Sequence, residues 1–254
     1  MKSSKSPIKT IKLLHLYHDL MNLYGDWGNV DILARALTER GCRVQTDKKS
    51  VGDDVDVSAY DFIYIGSGTE RSQQACMRDL AQYNDTLLKS VENRVFMLAT
   101  GNSHELFGRA ITDAYGERYE TLGLLDFETI QKETRVTGDC VFKASFIGDR
   151  LIGFINRAGG GQDGEIKRPF TAMLGPGAND DSRGEGIMYK NLLGTYLTGP
   201  VLVRNPPLLK YFAGQLAGEG HIAAAAAATY SGAGVLFSAQ EAAYRMALSE
   251  LSAR

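Results

Sequence analysis

Long apolar runs are missing from this sequence. No stretch approaches the roughly 20 consecutive apolar residues that a helix needs to span a bilayer. The basic opening segment KSSKSPIKTIK also lacks the apolar centre of a signal peptide. We therefore predict no membrane insertion. We interpret residues 1–10 as a disordered lead-in to one domain over residues 11–254, since neither an internal repeat nor a clear linker divides the chain.

A marked excess of charge is missing too, and cysteine is scarce. The 28 basic and 30 acidic residues give a formal net charge of −2, so there is no electrostatic reason to expect a nucleic acid partner. Cys42, Cys76 and Cys140 are odd in number and widely spaced, which fits neither a disulfide framework nor a zinc knuckle. We therefore expect a reduced, cytoplasmic protein.

Histidine pairs with the spacing of metal ligands are also missing. His15 lies in the first apolar segment, His18 follows it, and His221 lies in an Ala-rich stretch near the C-terminus. Structural roles are expected for these side chains, and we predict neither a metal nor a cofactor.

What is present is an alternation of apolar strands and amphipathic helices in the first half. Such an alternation with short Gly-containing turns predicts an α/β fold with a mostly parallel, doubly wound sheet. The predicted strands are Ile11–Tyr17, Cys42–Thr46, Tyr60–Ile65 and Val95–Thr100, and the predicted helices are Val30–Arg40, ending at Gly41, and Gln73–Val91.

The second half has shorter predicted strands and more glycine. We predict strands over Leu122–Asp126, Thr134–Lys143, Leu151–Asn156 and Asn191–Leu197, and helices over Leu208–Gly218 and Phe237–Leu251. The Gly-rich segment from Arg157 to Asp181 is expected to be a long surface loop.

The chain is organised around the segment Val95–Gly108, VFMLATGNSHELFG. A buried strand runs into a tight turn, and HELFGRAI then begins like a helix. This is the pattern of a nucleophile elbow, which lifts one side chain above the sheet edge. Here the apex is Gly101, which carries no side chain.

The motifs around this turn resemble those of the GatD-like, CobB/CobQ-type class I glutamine amidotransferases. The resemblance covers about Leu13 to Pro207 and rests on LYHDLMNLYGDWGNVDIL, DFIYIGSGTERSQQ, LGLLDF, ETRVTGD and GIMYKNLLGTYLTGP. It implies a flavodoxin-like sandwich fold and a subunit that pairs with a MurT-like Mur ligase. In such a pair, glutamine hydrolysis supplies ammonia that amidates the D-glutamate of lipid II. It also implies a Cys nucleophile on the elbow and a His base at a later strand end.

Both catalytic positions differ in this chain. When His104–Phe107 is set over the family's Tyr-Gln-Phe-Leu and Gly108 over its final Gly, the family's Cys falls on Gly101. The family's Thr-Tyr-Leu-His-Gly-Pro motif corresponds to residues 195–200, so Thr198 stands at the His position. Neither residue can supply a thiolate or a base that titrates near neutral pH. We therefore predict loss of glutaminase activity.

Other family positions are kept and define expected binding residues. By the resemblance, Arg135 would hold glutamine or a similar small carboxylate. The turn Gly66-Ser67-Gly68, with Ser67 in place of a glycine, would supply oxyanion donors. Asn102 beside the apex is a further expected substrate-binding residue. Alternatively, Arg135 merely pairs with a neighbour such as Asp139.

Two alternatives stay open at this point. Ser103 beside His104 could be a displaced nucleophile and base, although we interpret Ser103 as the cap of the following helix, helped by Glu105. The loop Asn22–Asn29 could face a ligand or partner, or Asp26 and Asn29 could cap the helix near Val30.

Overall fold

The computed structural model describes residues 8–93, 95–163, 166–178, 183–219 and 235–254. Its strands are β1 (Thr10–Leu16), β2 (Arg43–Lys49), β3 (Phe62–Ile65), β4 (Phe96–Thr100), β5 (Ala110–Thr112), β6 (Arg118–Glu120), β7 (Glu128–Ala144), β8 (Arg150–Asp163), β9 (Phe170–Leu174), β10 (Gly184–Glu185), β11 (Ile187–Tyr189), β12 (Leu192–Thr195) and β13 (Leu197–Thr198). Its α-helices are α1 (Trp27–Glu39), α2 (Glu70–Leu80), α3 (Asn84–Glu92), α4 (Val201–Arg204), α5 (Pro206–Ala217) and α6 (Val235–Ser252).

The first sheet has the order β11-β12-β4-β3-β1-β2 and is parallel except for β11. Alternate residues of its central strands enter two different cores. Leu13 and Tyr64 pack with α1 and α5 on one face, while Leu14 and Ile65 pack with α2 and α3 on the other. Burial on both faces explains the near-continuous apolar character of β3 and β4. The predicted α/β fold is confirmed.

The second sheet is mostly antiparallel and is dominated by the β7–β8 hairpin. The prediction of short strands was wrong here, because both strands extend well beyond the predicted ranges. The prediction of a surface loop from Arg157 to Asp181 was wrong as well, since it contains the end of β8 and all of β9. Position 159 of β8 requires glycine, because a Cβ there would overlap the carboxylate Oε1 of Glu105.

The elbow does not continue into an α-helix. Residues Gly101–Phe107 form a 3₁₀-helix, and the chain then enters β5. A Cβ on Gly108 would lie 2.7 Å from the backbone oxygen of Phe127, so glycine allows the chain to turn in close contact with Phe127. The predicted strand Leu122–Asp126 is also absent. Leu122 and Leu125 instead donate backbone hydrogen bonds to carbonyls of the 3₁₀-helix.

The remaining elements differ in smaller ways from the predictions. The predicted helix Gln73–Val91 is α2 and α3 joined by a 3₁₀ turn, Ala81–Tyr83. The predicted helices near residues 208 and 237 are confirmed as α5 and α6. Residues 1–7 of the expected lead-in and His221 with its Ala-rich stretch lie outside the described residues. No helix among the described residues is long and apolar enough to cross a membrane.

Candidate functional site

Three turns meet at the carboxyl edge of the first sheet. Ile65 pairs with Ala99, and Thr195 pairs with Thr100, so β3, β4 and β12 end side by side. The chain therefore brings Gly66–Gly68, Gly101 and the segment leading to Thr198 to one edge, where open α/β sheets bind their ligands.

Gly101 keeps the backbone geometry of an elbow apex. Its φ is +62°, in the left-handed region that is costly for residues other than glycine. A Cβ placed on Gly101 would overlap the Cβ of Ser67 and lie 3.1 Å from its Oγ. The space in which an apex side chain would begin is thus filled by Ser67.

Ser67 is held in this place by a buried carboxylate. Both its backbone N–H, at 3.1 Å, and its hydroxyl, at 2.8 Å, donate to Oδ2 of Asp26. Burial raises the pKa of Asp26, and the hydrogen bonds from Ser67 only partly offset this rise. The other oxygen, Oδ1, is buried without a hydrogen-bond partner among the described residues.

Asp26 and Asn29 do not cap α1 with their side chains. Asp26 stands at the N-cap position but makes no capping hydrogen bond. The Asn29 amide instead receives the backbone N–H of Leu202 at 2.8 Å and donates to the Tyr64 hydroxyl at 2.7 Å. The capping alternative is therefore wrong. The Asn29 side chain instead links the start of α1 to β3 and α4.

Asn102 also binds the Gly-rich turn. Its Oδ1 accepts the N–H of Gly68 at 3.1 Å, and its Nδ2 is buried with no partner in the described part of the chain. The backbone donors of Ser67 and Gly68, expected as oxyanion donors, are therefore engaged by side chains of the protein itself.

Thr198 and Ser103 direct their hydroxyls to backbone carbonyls. Thr198 lies in β13 and donates to the oxygen of Phe154 at 3.0 Å. Ser103 is fully buried and donates to Ile65 at 3.0 Å and to Thr100 at 2.9 Å. The expectation that Ser103 caps a helix was wrong, because its hydroxyl is a donor inside the 3₁₀-helix.

His104 is enclosed behind the elbow. Its Nδ1 lies 2.7 Å from the oxygen of Gly101, and its ring packs edge-on against Tyr196 with centroids 4.2 Å apart. Burial lowers the pKa of His104 to about 3, so the imidazole is neutral at physiological pH.

Arg135 lies at the rim and binds groups other than Asp139. Its guanidinium contacts Oε1 of Glu70 at 2.5 Å and Oδ1 of Asn156 at 2.6 Å, while Asp139 pairs with Arg254. The Arg135 side chain is 38% exposed, so one side of it faces solvent.

Sequence reasoning missed a buried polar network behind the elbow. The Glu105 carboxylate accepts hydrogen bonds from Gln73 at 2.8 Å and Gln131 at 2.9 Å. Burial raises the pKa of Glu105. These three residues lie in separate elements, α2, the 3₁₀-helix and β7. Nothing in the sequence around Glu105 indicated that its side chain would be buried.

The fold of this chain, in which the elbow follows a central strand of a parallel sheet and faces a Gly-rich turn, is similar to that of solved glutamine amidotransferases. Two solved structures share it. One described as a glutamine amidotransferase has a TM-score of 0.51 and 17% identity, covering 81% of this chain and 98% of the other. A glutamine amidotransferase of Thermotoga maritima has a TM-score of 0.50 and 13% identity, covering 85% and 96%.

The chain belongs to the CobB/CobQ-like glutamine amidotransferase domain family, whose model matches residues 12–206. It is similar to subunit GatD of the glutamine-hydrolysing lipid II isoglutaminyl synthase of Staphylococcus aureus (strain N315), with 31% identity over 201 residues, 79% of this chain and 82% of the relative. The same subunit of Streptococcus pneumoniae (strain ATCC BAA-255 / R6) is 32% identical over 200 residues, 78% of this chain and 77% of the relative. The family resemblance drawn from the motifs is confirmed.

Proposed function

We propose that this chain is a GatD-like amidotransferase subunit that does not hydrolyse glutamine. The observation that carries the proposal is the apex of the elbow, where Gly101 offers no nucleophile and Ser67 fills the adjoining space. Without a thiolate, no acyl-enzyme forms from the glutamine amide. Thr198 at the second family position has no group that could act as a base near neutral pH.

The proposed setting is the amidation of a cell-wall precursor in the cytoplasm. The similar proteins are subunits of lipid II isoglutaminyl synthases, which supports a role beside a ligase partner. We propose a MurT-like Mur ligase as that partner, with the D-glutamate of lipid II or a related carboxylate as acceptor. The subunit, a single domain over residues 11–254, would hold or shape the ligase.

Binding of an amino-acid-like carboxylate without turnover is the second candidate. Arg135 favours it, because its side chain is 38% exposed and its acidic partner Glu70 is itself at the surface. A ligand carboxylate could replace Glu70 there. Ligand-dependent melting of the free chain, abolished in Arg135→Ala, would support this candidate.

The proposal is tested by ammonia release from glutamine. The purified chain is assayed alone and with the purified ligase encoded beside it, and an active GatD relative serves as the positive control. We expect no release above the background without protein. Release by either preparation would overturn the proposal.

Variants of Ser103 and His104 identify the source of any activity. If ammonia were released, Ser103→Ala and His104→Ala would test the displaced-group alternative, since loss of a real nucleophile lowers the rate by orders of magnitude. The contacts of Ser103 with two carbonyls and the low pKa of His104 weigh against that alternative.

A further inference from the structure

We infer that residue 67 and residue 101 share one side-chain site, so that only one of them can carry a Cβ. Ser67 then prevents a nucleophilic side chain at the elbow, because its Cβ occupies the position that a Cβ at residue 101 would take. The inference rests on the proposed function, because it explains how the vacant apex of a non-hydrolysing subunit is filled.

The overlap involves atoms that cannot rotate away. A Cβ on Gly101 would overlap the Cβ of Ser67 and lie 3.3 Å from its Cα. Both Cβ positions are fixed by the backbone, so no change of rotamer relieves the contact. One of the two backbones would have to move.

The turn that carries Ser67 cannot move away from the elbow. A Cβ on Gly66 would overlap the backbone oxygen of Met21 and lie 2.8 Å from the Asp26 Cβ, and one on Gly68 would lie 2.9 Å from the oxygen of Leu20. The loop of residues 20–26 therefore already presses on the far side of the turn. The two hydrogen bonds to Asp26 and the bond from Leu23 N–H to the Ser67 oxygen, at 2.9 Å, fasten the turn to this loop.

The elbow cannot retreat either. Ser103 donates to the carbonyl oxygen of Thr100, which precedes the apex, and also to Ile65 in the neighbouring strand. His104 Nδ1 is bound to the carbonyl of Gly101 itself. Because both sides of the contact are fixed, a side chain at position 101 requires glycine at position 67, and a thiol restored at 101 alone has no room.

A double-mutant cycle tests the shared site directly. Ser67→Gly, Gly101→Ala and the combined variant are compared with wild type by urea unfolding. Gly123→Ala is the matched control, because Gly123 has a φ of +64° but a Cβ there would meet nothing within 4 Å. It reports the cost of the left-handed backbone without the clash.

Two results are expected. Gly101→Ala lowers the urea midpoint more than Gly123→Ala does. When residue 67 is glycine, Gly101→Ala should reduce the folding equilibrium constant at least about tenfold less than it does when residue 67 is serine. This difference corresponds to about 1.4 kcal/mol of coupling between the two positions. If Gly101→Ala does not fold, folding of Ser67→Gly/Gly101→Ala supports the shared site.

Additive effects would overturn the inference. So would failure of the combined variant to fold while Ser67→Gly and Gly123→Ala both fold. Cysteine at the apex gives a second readout, since Gly101→Cys should lower the urea midpoint less in the Ser67→Gly background than in wild type.

These outcomes are separable from those of the glutaminase assay. Ammonia release by wild type would overturn the proposed function and leave the coupling intact. An additive cycle with an inactive wild type would overturn only the shared site.

Discussion

Glu185 is a buried carboxylate that closes the bend at which the chain passes from one sheet to the other. Its Oε1 accepts the backbone N–H of Tyr196 at 2.6 Å, and its Oε2 accepts the Thr195 hydroxyl at 2.8 Å. Thr195 ends β12 in the first sheet, and Leu197 begins β13 in the second. Burial raises the pKa of Glu185 from 4.5 to about 7, so one residue couples the folding of the site to pH.

Glu185→Gln should therefore remove part of the pH dependence of stability. Between about pH 4.5 and 7 the folded protein keeps a proton on Glu185 that the unfolded chain has released, so the contribution of Glu185 to stability falls as the pH rises. The shift corresponds to a loss of about 3 kcal/mol, and the variant should lose less over the same range by roughly that amount. Urea midpoints at pH 5 and pH 7.5 measure the difference.

The comparison is between variant and wild type because other buried groups act in the opposite direction. Burial lowers the pKa of His15 to about 4 and that of His104 to about 3, so both remove stability as the pH falls below 6.5. Glu120→Gln is the control, since that side chain is 73% exposed. Equal pH profiles for wild type and Glu185→Gln would contradict the assignment.

At the scale of elements, the β7–β8 hairpin contains a glycine, Gly159, at a point where β8 comes very close to other residues. A Cβ on Gly159 would overlap Oε1 of Glu105 and lie 2.7 Å from both Thr129 Cγ2 and Tyr196 Oη. The strand thus comes close to the polar network behind the elbow, and glycine permits the approach.

Gly159→Ala should destabilise the protein by about 2–3 kcal/mol, as overpacking of a filled interior does. The matched control is Gly138→Ala in the same hairpin, where a Cβ would lie 3.4 Å from Pro176 Cδ, an ordinary contact. Denaturant unfolding of both variants makes the comparison. Losses of equal size would mean that the approach to Glu105 is not what selects glycine at residue 159.

The same hairpin shows why some elements could be predicted from the sequence and others could not. β1, β3 and β4 are buried on both faces, and their apolar runs predicted them to within about two residues. The Gly-rich end of β8 suggested a loop, because the Glu105 carboxylate that requires glycine at position 159 is distant in sequence. The helix predicted after the elbow is absent for a similar reason, since the backbone at Gly108 packs closely against Phe127, which comes later in the sequence.

The candidate site, too, could be predicted from the sequence only in part. The motifs placed Gly101 and Gly66–Gly68 on turns that follow strands, and the parallel sheet brings those turns to one edge. Thr198, expected on a turn, lies in β13. The contact between Ser67 and Gly101 could not be predicted, because it depends on the spacing of two loops. The hydrogen bonds from Ser67 to Asp26 could not be predicted either, since the sequence equally favoured a cap at Asp26.

At the scale of the whole molecule, the two sheets and the last helix share one core. Phe62 from the first sheet, Phe142 and Phe170 from the second and Phe237 from α6 belong to the same buried cluster. The second sheet is therefore held against the helices that cover the first, and α6 closes this arrangement from outside.

The docking of α6 depends on a few contacts that can be tested singly. Tyr244 is 7% exposed, packs on Val141 and Ile152, and donates its hydroxyl to the oxygen of Arg150 at 2.7 Å. Gln240 adds hydrogen bonds to the carbonyls of Leu202 and Val203 in α4. Tyr244 is one of the large side chains of α6 that join the helix to the β7–β8 hairpin.

Tyr244→Ala should lower the free energy of unfolding by about 2–4 kcal/mol, because it empties a site between α6 and the hairpin. Tyr244→Phe should cost about 1 kcal/mol, the net contribution of its hydrogen bond. Met246→Ala on the same helix is the control, since Met246 is 66% exposed and its truncation should change stability by no more than about 0.5 kcal/mol. Equal urea midpoints for Tyr244→Ala and Met246→Ala would mean that α6 contributes little to the fold.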